Sequence, residues 1–406
     1  MSILDKLIEK QTWEEFLDYK LNKDLLSSFE IDSIKDYIAE ERYLPIATEI
    51  VNGRYKFSIP KKHLINKIDK QKKRIIYTYT EDESMILKLL NYLLYKYDDT
   101  FLPNCYSFRK NIGVKQAIKD LTGNKNISNM YCYKIDISNY FNSVPIEKLL
   151  PKLKELISDD YKLYQLLEDI LIDTKVDFKD EILIENKGIM PGVPISSFLA
   201  NVYLNDVDKY YYENDIIYAR YSDDIIMFGD KDDISNIVSK ITEQITDHGL
   251  NLNEDKLALI NPSECWEFLG FSYKAGKIDL SLITKNKIKG KIRRAARKIR
   301  RWMIRKEANH ERALKVMNKK FNQKFYGYNN EKEFTWSKWF FPLINTDEGL
   351  KEVDSYMQQY LRYIVTGKHN KKNYEAADYS YLKKCNYKPL VSEYYKFKKG
   401  ILIDKV

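Results

Sequence analysis

The chain has 406 residues, 44% hydrophobic and 14% aromatic, enough apolar surface for a large core and two or three subdomains. No run of about 18 apolar residues occurs, and charges begin at Asp5 and Lys6, which argues against a membrane span and a secretory signal and leads us to expect a cytoplasmic protein without a membrane partner. Cys105, Cys132, Cys265 and Cys385 lack paired spacing and only 4 His are present, so buried reduced thiols are expected rather than a disulfide framework or a zinc site.

The net charge of +9 is concentrated. Lys285 to Lys306 hold twelve Lys and Arg and no acid, more than the whole excess.

In chain order, the first 60 residues read as helical, with Trp13, Phe16 and Leu17 as an apolar stripe for the core. Lys72-Lys73-Arg74 lead into an alternating strand ending at Tyr79. Thr80 and Glu83 form a capping box for a helix carrying Met85, Leu89, Tyr92 and Leu93. A second basic element, Tyr106-Ser107-Phe108-Arg109-Lys110, follows. Residues 130–137 have the two-residue period of a strand, placing Lys134 and Asp136 on one face. An acid on an apolar strand is costly unless something pairs with it, and a metal ion would do so. Pro145 then opens a helical stretch. The segment from Gly188 to Pro194 is a tight loop feeding a helix with Ile195, Phe198, Leu199 and Val202 on its core face.

Residues 218–228, Tyr-Ala-Arg-Tyr-Ser-Asp-Asp-Ile-Ile-Met-Phe, read as a hairpin presenting Asp223 and Asp224 at its tip. Ile234, Ile237, Val238, Ile241 and Ile245 mark an amphipathic helix stopped at Gly249, and Glu267 to Phe271 give a final strand. The basic segment 285–306 has one apolar face, made by Ile288, Ile292, Ala295, Ala296, Ile299, Trp302 and Met303. Arg293, Arg294, Arg297, Lys298, Arg300 and Arg301 fill the remainder, and like charges so dense repel unless a polyanion neutralises them, which points to nucleic acid. The later aromatics Trp336, Trp339, Tyr360, Tyr381, Tyr394 and Tyr395 are expected mainly in core packing.

Strand, helix, hairpin, helix, strand is the order of a split βαβ unit, on which Asp136 can lie beside Asp223. Two carboxylates sharing hard cations is what two-metal phosphoryl transfer requires, with ions about 3.5 to 4 Å apart.

The ordered series resembles the polymerase motifs of prokaryotic reverse transcriptases, most like the abortive-infection and defence-associated groups and related to retron and group II intron enzymes, over about residues 70–275. The resemblance implies an α+β fold of right-hand polymerase type: N-terminal helices and fingers over 1–129, and a ferredoxin-like palm over 130–275 with a fingers insertion around 146–187. A basic helical thumb over 276–330 and a small helical C-terminal extension over 331–406 would complete it. It further implies two Mg²⁺ ions held by Asp136, Asp223, Asp224 and the backbone of Ile137, and a Lys256 that protonates pyrophosphate. Phe141, five residues after Asp136, would be a steric gate favouring dNTPs. Lys73, Arg74 and Arg109 would neutralise the triphosphate, Gly192 and Ser196 would lie beneath the nascent base pair, and Phe268, Leu269 and Gly270 would grip the primer. Pro191 departs from the family's usual Gln and puts nucleotide discrimination and strict templating in question.

The activity so implied is RNA-directed DNA synthesis on an RNA template, a cognate noncoding RNA in antiphage defence, with a DNA product and room for a homo-oligomer or accessory protein. Template-independent or protein-primed synthesis, a ribonucleotide-using polymerase or terminal transferase, and a maturase-like RNA-binding role stand as alternatives.

Overall fold

The computed structural model describes residues 2–23, 28–66, 73–327, 335–370 and 372–401; Lys72, part of the expected basic lead-in, lies outside them. In chain order the strands are β1 Lys61–Asn66, β2 Lys73–Thr78, β3 Tyr131–Asp136, β4 Lys175–Phe178, β5 Glu181–Ile184, β6 Ile217–Tyr221, β7 Asp224–Gly229, β8 Ala258–Ile260, β9 Trp266–Phe268, β10 Phe271–Lys274 and β11 Lys277–Leu280. The chain divides into two compact units, Met1–Pro262 and Ser263–Val406.

The first unit opens with helices Lys10–Asn22, Ser28–Ala39 and Leu44–Val51. Trp13, Phe16 and Leu17 are buried as their spacing suggests. One sheet has the order β2-β1-β4-β5. The Glu81–Leu93 helix begins at Thr80 with both halves of the capping box formed, and Glu83 also accepts from the Ser58 backbone and hydroxyl.

The second sheet of this unit positions the acids. Its order is β6-β7-β3-β8, with every neighbouring pair antiparallel. With helices between β3 and β6 and between β7 and β8, this is the ferredoxin-like arrangement. β7 is a central strand whose residues Ile225, Ile226, Met227 and Phe228 are all buried, while β3 contributes Cys132, Tyr133 and Ile135. The Ile234–Asp247 helix packs on β3 and β7 through Ile234, Ile237, Ile241 and Ile245, and Gly249 (φ +72°) follows its end.

The second unit contains a three-stranded sheet, β11-β10-β9, and helices Leu282–Arg305, His310–Tyr326 and Glu348–Thr366 among others. The segment expected as one strand over 267–271 is a hairpin: Leu269 (φ +50°) and Gly270 (φ +92°) form a two-residue turn between Phe268 and its partner Phe271. On the Leu282–Arg305 helix, Ile288, Ile292, Ala295, Ala296, Ile299 and Met303 are buried and Trp302 is half-buried, against the Glu348–Thr366 and His310–Tyr326 helices. Tyr360 and Tyr394 are buried, whereas Tyr395 is exposed with its hydroxyl on Asp347 (3.1 Å). The cysteines are free, and Cys265 departs from expectation by being exposed. Among the described residues no helix is long and apolar enough to cross a membrane.

Asp354 joins two helices of this unit, accepting from the backbone N–H groups of Leu390 (2.8 Å) and Val391 (3.0 Å) and from the Tyr387 hydroxyl (3.0 Å). Burial nevertheless pushes its carboxyl up to about 6. Because this lies above the unfolded value of about 3.9, the group's stabilising share is full below that value and is lost as pH rises through the folded one. The stability advantage of wild type over Asp354→Asn should therefore shrink between pH 4 and 7.5, by at most about 3 kcal/mol, in urea titrations of the two proteins. An advantage that stays level across that range would contradict the burial argument.

Candidate active site

The ladder between β3 and β7 sets Asp136 opposite Asp224, and the Ile137 N–H donates to the Asp223 carbonyl at 3.0 Å. Tyr221 pairs with Asp224, leaving Ser222 and Asp223 as the two-residue turn. Ser222 takes φ +63°, a left-handed value that stores strain in a residue with a Cβ and is concentrated at functional sites. Asp223 and Asp224 thus stand at the end of the hairpin beside the end of β3.

The electrostatics follow from that convergence. Burial raises the pKa of Asp223, and Asp136 adds repulsion, opposed by a Ser222 hydrogen bond and by Lys256. Burial likewise raises Asp224, with Lys134 pulling it down and Asp223 and Asp136 pushing it up. Asp136 itself is buried, and its carboxylate accepts from Lys256 Nζ at 2.6 Å and Asn253 Nδ2 at 3.1 Å. Asn253 also donates its backbone N–H to the Asp136 carbonyl (2.8 Å). Residues 253 and 256 reach the acid because Ser138 and Ile137 pair with Asn251 and Leu252, which brings the following turn under it.

Hard oxygen donors crowded under mutual repulsion match the chemistry of a divalent cation. However, among the described residues no three His, Cys, Asp or Glu side chains are gathered as a metal cage. The register brings the three acids to one end of the sheet, and there the Asp136 carboxylate is engaged by Lys256 and Asn253.

The hairpin is anchored from behind by a pair that the sequence does not advertise. Arg220 and Asp208 both have fully buried side chains, and the guanidinium grips the carboxylate with two nitrogens, Nε at 2.8 Å. It also reaches Cys105 Sγ (3.1 Å) and the Ser222 carbonyl (3.4 Å), while the Tyr218 hydroxyl donates to Asp208 (2.9 Å). An Arg in a strand twelve residues after an Asp in a helix carries no local signal of pairing, so only the tertiary fold reveals it.

Phe141 lies on the short Tyr140–Ser143 helix, half-buried, with Tyr140 at 5.7 Å and Phe108 at 6.1 Å between ring centroids. Gly192 (φ +101°) approaches β2 so closely that a Cβ would stand 2.8 Å from the Tyr77 carbonyl. Next to it the Pro191 carbonyl accepts the Tyr77 N–H (2.8 Å), a role that needs no N–H from residue 191. Ser196, expected beneath a base pair, is buried, and its hydroxyl contacts the Ile189 and Met190 carbonyls (2.6 Å for Met190). It shapes the loop from within. Lys73 and Arg74 are exposed on β2.

Two basic residues are placed differently from expectation. Arg109 does not present a free guanidinium to a triphosphate: it is enclosed against Asp98 and the Leu102 carbonyl (2.8 Å), with Nη2 on the Asp98 carbonyl (2.8 Å). Buried carbonyls at the end of a helical turn recruit it. Within the second unit, Arg300 is turned onto the carbonyls of Tyr363, Ile364 (2.7 Å) and Val365, closing the end of the Glu348–Thr366 helix. Arg293, Arg294, Arg297, Lys298 and Arg301 remain exposed. Phe268 is buried, and the Gly270 carbonyl accepts from Thr284 Oγ1 (2.9 Å) and the Ser281 N–H (3.0 Å).

The family profile described as "Reverse transcriptase (RNA-dependent DNA polymerase)" matches residues 59–273, more than half of the chain. The chain belongs to the reverse transcriptase family, and its fold is that family's mixed α and β right-hand polymerase architecture with a helical C-terminal region. Over 117 residues it is 28% identical to the putative COX1/OXI3 intron 2 protein of Saccharomyces cerevisiae, taking in 28% of this chain and 13% of that protein, well under two thirds of that curated relative's length. Similar solved structures include apo telomerase from Candida tropicalis, at 11% identity and TM-score 0.49 over 93% of this chain and 77% of that one. Telomerase from Candida albicans in complex with a TWJ fragment of telomeric RNA matches at 13% identity and TM-score 0.48 over 91% and 71%.

Arg220→Met should cost about 3 to 5 kcal/mol, since it strands the buried Asp208 charge. Arg220→Met with Asp208→Leu should recover much of that loss in chemical denaturation. Equal stability of the single variant and wild type would show that the pair does not anchor the hairpin.

Proposed function

We propose that the chain is an RNA-directed DNA polymerase that joins dNTPs to a primer 3′-hydroxyl, releasing pyrophosphate. The observation that carries this reading is the register that sets Asp136 against Asp224 with Asp223 at the adjoining turn.

In this reading residues 1–129 serve as fingers, 130–275 as palm with an insertion around 146–187, 276–330 as thumb and 331–406 as a helical extension. Asp136, Asp223 and Asp224, with the Ile137 backbone, would hold two Mg²⁺ ions, which when bound supply activation of the primer oxygen and neutralisation of charge on the leaving oxygen. Lys256 has a side chain 58% exposed on a flexible stem, so it can release Asp136 and deliver a proton to pyrophosphate. Lys73 and Arg74 offer exposed cationic groups for the triphosphate. Phe141 acts as the gate against a ribose 2′-hydroxyl. Gly192 and Ser196 keep the loop before the Ser196–Tyr203 helix close to β2 and beneath the nascent pair. The β9–β10 turn at Phe268, Leu269 and Gly270 serves as the primer grip, and the exposed Arg and Lys of the basic helix bind phosphate backbone. The setting we propose, a cognate noncoding RNA copied in bacterial antiphage defence, is supported by the resemblance to the defence-associated groups.

Asp223→Asn combined with Asp224→Asn should reduce nucleotide incorporation in primer-extension assays to background while leaving RNA affinity in place. Robust synthesis by that variant contradicts the assignment of the site.

Neutralising Arg293, Arg294, Arg297 and Lys298 together should weaken RNA binding and flatten the plot of log affinity against log salt by up to about 4. A slope equal to wild type would mean that this helix faces something other than nucleic acid.

A further inference from the structure

The Phe141 main chain cannot retreat. Its carbonyl accepts the Ile189 N–H at 2.8 Å, and Gly188 comes so near that a Cβ there would stand 2.3 Å from the same oxygen. With the backbone fixed, the aromatic neighbours of the ring help to set its position. Tyr140 is buried, and its hydroxyl is tied to the Ala200 carbonyl (2.6 Å). The other neighbour is Phe108, which meets Phe141 edge to face at 6.1 Å and 87° and also touches Tyr221 at 6.3 Å. Tyr221 is the residue that pairs with Asp224 to close the acidic turn.

Packing alone does not account for Phe108. The residue is 38% exposed, and its backbone sits at φ +57°, where a bulky L-residue is strained. The surrounding loop is built to keep it there. Asn201 Nδ2 donates to the Ser107 carbonyl (2.8 Å), the Ser107 hydroxyl donates back to Asn201 (3.0 Å), and the Arg109 guanidinium holds the Asp98 and Leu102 carbonyls. A strained residue over-determined on both sides, with a half-open ring between Phe141 and Tyr221, is placed for where that ring stands.

We infer that Phe108 is a specificity-determining positioning residue: it buttresses the Phe141 ring and thereby sets how strictly ribonucleotides are rejected. The inference rests on the gate role proposed for Phe141. It also gives Arg109 its function, as the clamp that presents Phe108.

The test is the ratio of kcat/KM for a dNTP to that for the matching rNTP, in wild type, Phe141→Val, Phe108→Ala, Phe108→Tyr and the Phe141→Val, Phe108→Ala double variant, each checked for folding by thermal melting. Phe108→Ala should lower the ratio on the order of tenfold, the scale set by one lost aromatic contact. Phe108→Tyr should restore it, and the double variant should fall no further than Phe141→Val. A wild-type ratio in folded Phe108→Ala alongside a lowered one in Phe141→Val overturns the buttress and leaves the gate standing. An unchanged ratio in Phe141→Val overturns the gate and the buttress together. Should Phe108→Ala fail to fold, Phe108→Leu takes its place: a lowered ratio supports the buttress and a wild-type ratio overturns it.

Discussion

The register between β3 and β7 is the constraint from which the site follows. Side chains alternate along a strand, so a slip of one residue would turn Asp136 toward the apolar face that Tyr133 and Ile135 now fill. Two features outside the strands hold the acids in place. The turn at Ser222 and Asp223 closes β6 on β7 through a single pair, Tyr221 with Asp224, and the Ile137 N–H bonds the Asp223 carbonyl beyond the end of the β3–β7 ladder. Behind the turn, the Arg220–Asp208 pair ties β6 to the Asn205–Glu213 helix in a site closed to solvent. Such a pair is a weak source of net stability, but loss of either partner leaves the other as an unmatched buried charge.

That placement gathers acids against their own repulsion. The carboxyls of Asp223 and Asp224 are raised first by burial and then by that repulsion, while Lys256 and Asn253 bond the Asp136 carboxylate. The same arrangement makes Asp136 responsive to competition: a cation that takes its oxygens must first displace an ammonium. Strain runs alongside the charge, with left-handed backbone at Ser222, Asn139, Phe108 and Met190 around the same region of the chain's first unit.

Much of this is legible in the sequence because periodicity and caps are local. The strand over 130–137, the acidic hairpin, the Thr80–Glu83 box and the buried face of the basic helix all follow from residues within a few positions of one another. What is not legible depends on how loops and turns fold back, whether the partner is near in the chain, as for Arg109 and Ser196, or far, as for Arg300. Nothing near Arg109 or Arg300 in sequence announces the carbonyls that recruit them, and a basic residue reads as available until its neighbours in space are known. The same holds for Ser196, whose hydroxyl faces its own loop, and for Arg220, which reads like any polar residue of an alternating strand. The turn at Leu269 and Gly270 is hidden because apolar residues on both sides continue the strand pattern through it. The side-chain state of Asp136 depends on how the 251–256 segment folds back, which the acid's own strand does not encode.

Whether residues 136 and 223–224 share one divalent-cation site can be read directly by metal-directed cleavage. Iron(II) substituted for magnesium, with ascorbate and peroxide, generates hydroxyl radicals that cut the backbone close to where the ion is bound. A shared site should give cuts near both 136 and 223, suppressed together by added Mg²⁺. Cuts at one of these segments alone, or cutting that Mg²⁺ does not suppress, would contradict it.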